Sequence, residues 1–405
     1  LGIDFDGTKF HLRCRSLTQD PTMRKVGSDR YVVDGEVFFD SWVDPSVQAS
    51  EFFTSSKLVE CDWSAKLGRY LAAATDTTAV IISRSWGKRL IFVSSEAKET
   101  FNALLEEFTQ GDGIAEQVAA FKLEGKEPRL HALWRERADR RLAPYQRVAV
   151  TLSLGTRAFA LFMDRGTGKT PCAVQRVCME ALMTDAGELP GGVQRKDGGK
   201  MMRVLVAVPT QVRLNWQREF DKFATVKGKV SVLRGELHTR VKRIAEMIAP
   251  EDGMLFSATI VGYDTLARTC DYLSLLEWDL VVCDESHNYK DPRTGRWGHM
   301  QTIRDSSKRR LTLTGTPIGN SPIDLWSQLE FLRNGGSGFL AFKHFKGFHG
   351  IYEEGGGGYG VSKLIGVKNI PLLQERLSKM SFSVTKEEAG LNLPDKVRSI
   401  TEIQM

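Results

Sequence analysis

Two short runs in this chain combine residue types and spacings suited to phosphate chemistry. The first is Met163-Asp164-Arg165-Gly166-Thr167-Gly168-Lys169-Thr170, which follows an apolar strand pattern and opens a helical one. Glycines let backbone N–H groups close around phosphate oxygens, and a helix N-terminus adds a field that favours the anion. In such a loop Lys169 reaches the β and γ phosphates and Thr170 holds Mg²⁺. The full pattern has Gly five residues before its second Gly; here Met163 stands there. The second run is Leu280-Val281-Val282-Cys283 followed by Asp284-Glu285-Ser286-His287. It places two acids at the end of a buried strand, where Asp284 binds Mg²⁺ through its water shell and Glu285 orients and deprotonates a water.

Residues of this kind act together only if the fold brings them to one edge. From Arg141 onward, apolar runs at 158–163, 203–208, 230–233, 260–263, 280–283 and 311–314 alternate with amphipathic stretches. That alternation predicts a parallel sheet with helices on both faces, whose ligands bind beyond the strands' carboxyl ends. Residues 1 to about 130 read instead as a smaller α+β domain. Strand patterns are expected at 31–39, 78–83 and 89–94, and a helix at 96–108, where Phe101, Leu104, Leu105 and Phe108 recur at helical spacing. Residues 185–200 read as a surface loop. Residues 335–360 hold ten of the 37 glycines, and their interleaved aromatics are expected to dock that stretch onto the domain in preference to stacking on bases.

Beyond the two runs, the order of segments resembles the first motor domain of helicase superfamily two, and within it the Swi/Snf-type DNA translocases. The similar segments begin with Leu142-Ala143-Pro144-Tyr145-Gln146 and the phosphate loop, then Val208-Pro209 through Asn215-Trp216-Gln217-Arg218-Glu219-Phe220. Val261-Gly262-Tyr263, Trp278-Asp279-Leu280 with the acidic run, Asn288-Tyr289-Lys290, and Leu313-Thr314-Gly315-Thr316-Pro317-Ile318-Gly319-Asn320 come next. The resemblance covers about residues 141–334. It implies a RecA-like P-loop NTPase lobe and an ATP hydrolase that uses ATP and Mg²⁺. Lys169, Asp284 and Glu285 are then catalytic, with Thr170 and Asp284 at the metal. Tyr145, Gln146, Arg165, Gly166, Thr167, Gly168, Lys169, Thr170 and His287 bind the nucleotide, Gln146 by reading the adenine edge. Pro209, Gln211, Arg213, Tyr263, Lys290, Thr316 and Asn320 face the backbone of double-stranded DNA independently of sequence. Thr314, Gly315 and Thr316 couple nucleotide state to DNA grip. Trp216 reads as a core residue of an amphipathic helix.

Composition fits this reading. The formal charge of +6 divides unevenly: residues 1–140 carry 19 Lys+Arg against 22 Asp+Glu, a net −3, and residues 141–405 carry 37 against 28, a net +9. A basic excess in one segment suits a polyanion partner. The six cysteines show no zinc spacing, no run approaches the ~18 apolar residues of a membrane span, and no secretory signal is visible. The expected organisation is an accessory domain at 1–135 whose role is open between recognising a protein partner, recognising a DNA structure and packing alone, a RecA-like lobe at 136–385 with a Gly-rich insertion at 335–360, and a linker at 386–405 toward a second lobe. Thr385-Lys386-Glu387-Glu388 and Leu393-Pro394-Asp395-Lys396 resemble the family's crossing into that lobe. An arginine from the second lobe accelerates phosphoryl transfer in such motors. The chain alone is therefore expected to bind ATP weakly and hydrolyse it poorly, and a longer parent to be a DNA-stimulated ATPase. A strand-separating helicase or restriction-complex motor and a non-catalytic scaffold are the alternatives. The expected location is the cytoplasm of a bacterium or phage-infected cell, or the nucleus for a eukaryotic source.

Overall fold

The computed structural model describes residues 95–319, 321–339, 341–353 and 363–391, together with strand and helix segments between residues 2 and 92. The chain divides into two compact units. One comprises Leu1–Ala119, Lys290–Trp297 and Ile318–Met380, the other Ala120–Tyr289, Gly298–Pro317 and Ser381–Met405. Residues 290–297 and 318–380, grouped by the sequence reading with the lobe, thus cluster with the N-terminal segment.

In the first unit, β1 (Gly2–Phe5), β2 (Lys9–Arg13), β6 (Cys61–Ser64), β7 (Arg69–Ala73) and β8 (Ile91–Phe92) form a sheet in the order β6-β7-β2-β1-β8. A separate antiparallel sheet joins β3 (Arg24–Lys25), β4 (Arg30–Val33) and β5 (Glu36–Phe39). The run at 31–39 is therefore a hairpin and not one strand. Residues 78–80 and 82–83, expected as strand, are helical: Thr78, Ala79 and Ile82 are buried together at a spacing of three to four, which suits a turn of helix. The expected helix at 96–108 is Ser95–Glu124, more than twice as long. Beyond it, Phe339 packs against Phe345 and Phe348 with ring centroids 6.0 and 5.1 Å apart. Phe339, Phe345 and Phe348 of the Gly-rich stretch thus dock within their own unit, which also holds the antiparallel pair β16 (Gly350–Glu353) and β17 (Lys363–Val367), and residues 354–360 lie outside the described residues.

The second unit is built on one sheet. Its strands are β9 (Ala158–Met163), β11 (Lys200–Val208), β12 (Gly228–Val232), β13 (Phe256–Gly262), β14 (Trp278–Asp284), β15 (Ser307–Thr314) and β18 (Ser381–Val384). They lie in the order β12-β13-β11-β14-β15-β9-β18, every neighbouring pair parallel, and short β10 (Val193–Gln194) pairs antiparallel with β11. Parallel strands in the middle of a sheet are covered twice, so they must be apolar throughout. Accordingly Leu280, Val281, Val282 and Cys283 are fully buried. The chain moves one way across the sheet from β9 to β11 to β12, then returns through β13, β14 and β15. Right-handed crossovers in opposite directions put their helices on opposite faces. Lys169–Asp185 packs with Arg213–Phe223 on one face, and Leu237–Ile248 with Tyr263–Ser274 on the other. All six strands expected from the sequence are present, most of them longer by several residues. Among the described residues no helix is long and apolar enough to cross a membrane.

Helix Lys169–Asp185 carries charge into this core. Arg176 Nε donates to Glu180 Oε1 (2.9 Å), and Arg309 Nε of β15 donates to Glu180 Oε2 (2.9 Å). Arg176 and Glu180 are fully buried and Arg309 nearly so. Carbonyls of Thr156 and Pro190 accept further guanidinium N–H groups. One carboxylate between two buried cations ties the helix to β15, and its loss leaves both guanidiniums without a counter-ion. Glu180→Ala is expected to destabilise the protein by about 3–5 kcal/mol, and Glu180→Gln by less, read from denaturant midpoints.

Candidate active site

β9 delivers the chain into the phosphate loop at the sheet's carboxyl edge. Gly166 and Gly168 both have positive φ, +88° and +86°, and Gly168 caps helix Lys169–Asp185 in the left-handed region. A Cβ on Gly168 would run into the Gln146 side-chain amide. Thr167 is fully buried, and its hydroxyl donates to Asp164 O (2.7 Å). Its carbonyl accepts from Tyr145 Oη (3.0 Å) and Gln146 Nε2 (2.9 Å). The Gln146 amide oxygen reaches back to accept from Ala143 N–H (2.9 Å), half of a capping box for helix Pro144–Ser153. The amide expected to read adenine thus gives one N–H and one lone pair to the chain, bracing the phosphate loop, and keeps one of each. Lys169 Nζ donates to Met163 O (2.8 Å) and Asp164 O (3.2 Å). Burial lowers its pKa, while the charges of Glu285, Asp284 and Asp164 act the other way. Arg165 is exposed.

β14 ends at Asp284, whose two carboxylate oxygens each take one donor. Trp216 Nε1 donates to Oδ2 (2.8 Å) and Glu285 N–H to Oδ1 (2.9 Å). Burial raises the Asp284 pKa, and the Trp216 hydrogen bond opposes that shift. Asp284 and Thr170 line one cavity of about 440 Å³, together with Trp216, Asn215, Arg218 and Lys222. Hydroxyl and carboxylate oxygens are the hard donors that Mg²⁺ takes, and each Asp284 oxygen retains acceptor capacity beyond its one hydrogen bond, so the residues fit that ion. Glu285 turns out of the strand at φ +50°, a left-handed conformation that non-glycine residues seldom adopt.

The turn aims Glu285 at β15. Thr314 Oγ1, fully buried, lies 3.4 Å from Glu285 Oε2 and 3.1 Å from His287 Nδ1, and it accepts from Thr316 N–H (3.1 Å). A hydroxyl has one proton and two lone pairs. With the proton given to Glu285 and one lone pair taken by Thr316, His287 must present Nδ1–H. The next residue, Gly315, lies against the phosphate loop: a Cβ there would sit 3.3 Å from Met163 O and 3.4 Å from Arg165 N. Thr314 and Gly315, expected as coupling residues, thus touch the acidic run and the phosphate loop respectively.

The expected DNA-facing residues separate. Pro209 and Gln211 follow β11, with Gln211 exposed, and exposed Thr316 follows β15 on the same edge. Arg213 is partly tethered, donating through Nε to Thr210 O (2.9 Å) and through Nη1 to Leu233 O (3.4 Å). Tyr263 corrects the expectation. It is 3% exposed, its hydroxyl donates to Asp284 O (2.6 Å), and its ring meets Tyr289 edge-on. A ring so enclosed braces the acidic strand end and presents no surface to a phosphate. Lys290 belongs to the other unit, where its ammonium pairs with Asp324 (2.8 Å). Asn320 lies outside the described residues. Sequence reasoning left Trp216 in the core; it is buried, yet its polar edge serves Asp284. The only signal for that was its position one strand-to-helix step after Val208-Pro209.

A family model described as "SNF2-related domain" matches residues 145–405, more than half of the chain. The chain belongs to the SNF2-related domain family. The parallel sheet and the loops at its carboxyl edge lie within the matched residues, and residues 1–144 lie outside them. Among curated relatives, Helicase SWR1 of Saccharomyces cerevisiae is 36% identical over 128 residues, 32% of this chain and 8% of its own length. Helicase ssl-1 of Caenorhabditis elegans is 33% identical over 128 residues, 32% of this chain and 5% of its own length. Helicase swr1 of Schizosaccharomyces pombe is 32% identical over 153 residues, 37% of this chain and 11% of its own. The aligned segment therefore spans about a tenth or less of these relatives. The Sulfolobus solfataricus SWI2/SNF2 ATPase core in complex with dsDNA is 25% identical, with a TM-score of 0.47, covering 65% of this chain and 48% of that one.

The loop's packing has two measurable consequences. Gly168→Ala adds a Cβ against the Gln146 amide at a left-handed φ and is expected to cost more than about 1 kcal/mol, seen as a lowered melting temperature. Burial pushes the Cys172 thiol, beside Gln146 O, up to about 12. It therefore stays protonated at pH 8, and iodoacetamide is expected to leave Cys172 unmodified in the native protein and to label it in denaturant, read by mass spectrometry.

Proposed function

We propose that this chain is the ATP-binding lobe of an ATP-dependent motor that translocates on double-stranded DNA and remodels DNA or protein–DNA complexes. The observation that carries the reading is the convergence of Lys169 and Thr170 with Asp284 and Glu285 on either side of β15, at one edge of a parallel sheet. Membership in the SNF2-related domain family supports it, as does the basic excess after residue 140.

ATP enters as the anion that the loop is shaped to receive. The first N–H groups of helix Lys169–Asp185 point at its phosphates, and the helix dipole adds to their pull. Lys169 exchanges two neutral carbonyls, Met163 O and Asp164 O, for charged phosphate oxygens, a charge-assisted and stronger contact. Thr170 and Asp284 would hold Mg²⁺, which neutralises developing charge on the transferring group. Glu285 accepts a proton from the water that attacks the γ-phosphorus. Its carboxylate is held by Thr314 and His287, so a shift of Glu285 is felt at Thr316, the exposed residue beyond β15. Contacts from Gln211 and Thr316 to the phosphate backbone would grip DNA without reading bases.

The test is ATP binding by this chain and dsDNA-stimulated phosphate release by the chain joined to the second lobe of such a motor, compared between the unaltered sequence and two variants. Lys169→Ala is expected to weaken ATP binding at least tenfold. Glu285→Gln should bind ATP normally and lose about 10²–10⁴ in hydrolysis rate. Hydrolysis that survives Glu285→Gln, or binding indifferent to Lys169→Ala, would overturn the assignment.

A further inference from the structure

Asp284 is the carboxylate on which metal holding rests, and a carboxylate at a strand end can rotate about χ1 and χ2. What fixes it here comes from another element. Helix Arg213–Phe223 buries Trp216 and Phe220, one turn apart, at 2% and 1% exposure. Phe220 is seated on Phe256 of β13, with ring centroids 5.7 Å apart, and Trp216 on Phe220 at 6.3 Å. The indole ring is thus locked by packing, and its one donor is directed to Asp284 Oδ2 at 2.8 Å.

A tryptophan that serves only the core gives its N–H to whatever carbonyl is near. Trp278 donates to Leu273 O (2.8 Å) and Trp326 to Phe339 O (3.1 Å). Trp216 donates instead to a carboxylate that shares its cavity with Thr170. The remaining oxygen, Oδ1, is held by the Glu285 N–H, and the Asp284 carbonyl by the Tyr263 hydroxyl. Three donors therefore hold the residue, and of the two that reach its carboxylate only that of Trp216 comes from another element.

We infer that Trp216 is a positioning residue for the divalent cation: its indole N–H fixes the Asp284 carboxylate so that the free acceptor sites of Oδ1 and Oδ2 face Thr170 and the nucleotide phosphates. The inference rests on the ATP reading above. It gives helix Arg213–Phe223 a part in metal binding that its apolar face alone does not suggest. Partners that orient a ligating carboxylate typically change metal affinity 10- to 100-fold when removed.

The experiment measures ATP binding to the full chain by calorimetry, first in EDTA and then across a Mg²⁺ titration. Trp216→Phe keeps a ring and removes the donor. A second protein carries 3-benzothienylalanine at position 216, introduced site-specifically, which replaces N–H by sulfur at nearly constant shape and tests the donor even if Trp216→Phe does not fold. Expected are unaltered ATP affinity in EDTA and a Mg²⁺ midpoint raised roughly tenfold. An unchanged midpoint in the benzothienyl protein overturns the inference. So does an equal loss of affinity with and without Mg²⁺, the mark of a packing role alone. Absence of ATP binding by the unaltered chain in both conditions would instead sink the nucleotide reading itself.

Discussion

The register of β15 is the constraint on which the site depends. β15 lies between β14 and β9, with Asp284 opposite Leu313 and Phe162 opposite Thr314. Glu285, Thr314 and Phe162 therefore lie level, and the chain leaves β14, β15 and β9 in successive steps at Glu285, Gly315 and Asp164. Because side chains alternate across a strand, a slip of one residue would turn Thr314 to the other face and bring a Cβ where Gly315 now admits the loop backbone. The buried Arg309 of the same strand, locked to Glu180 on helix Lys169–Asp185, ties the register of β15 to the helix that the phosphate loop opens. Strand pairing and the buried charge cluster enforce one alignment from opposite ends.

Burial is the second organising term, and it acts on both signs of charge. It lowers the Lys169 pKa and raises that of Asp284, so each group is costly where it stands. The proximity of opposite charges offsets part of that cost, and donors from Trp216 and Glu285 offset more. Such a site is assembled in advance: its groups already point at one another, and little reorganisation separates this arrangement from one that holds a phosphate.

The sheet and its chemistry were legible because apolar runs and glycine spacing are local properties of a sequence. The six strands after residue 141 could be placed from periodicity, and the two motifs at their ends from residue types and spacing. Roles set by distant contacts were hidden. Nothing near Trp216 says that its indole will meet a residue 68 positions away, and nothing near Tyr263 says that its hydroxyl will face inward. The resemblance gives Gln146 only an adenine contact, and only the geometry shows each end of its amide also engaged with the chain. The strand expected at 78–83 failed because a short apolar run is compatible with either period, and packing decided for the helix. β18 was missed because Ser381-Phe382-Ser383-Val384 is short and only half apolar.

β18 also fastens the phosphate loop to the C-terminal stretch of the chain. It runs parallel to β9, Asp164 N–H donates to Val384 O (3.1 Å), and Lys386 N–H donates to Asp164 Oδ2 (3.0 Å). Thr385 and Glu388 then cap a single turn reciprocally, and Lys122 pairs with Glu388. Tension on the chain beyond Gly390 would load the β9–β18 ladder lengthwise, in shear, so that its hydrogen bonds share the force and do not open one after another. Within the phosphate loop, the side chain that takes that load is Asp164, through Lys386 N–H, and this is the loop that would hold ATP. Load on that ladder and any hold on a nucleotide would therefore meet in one residue.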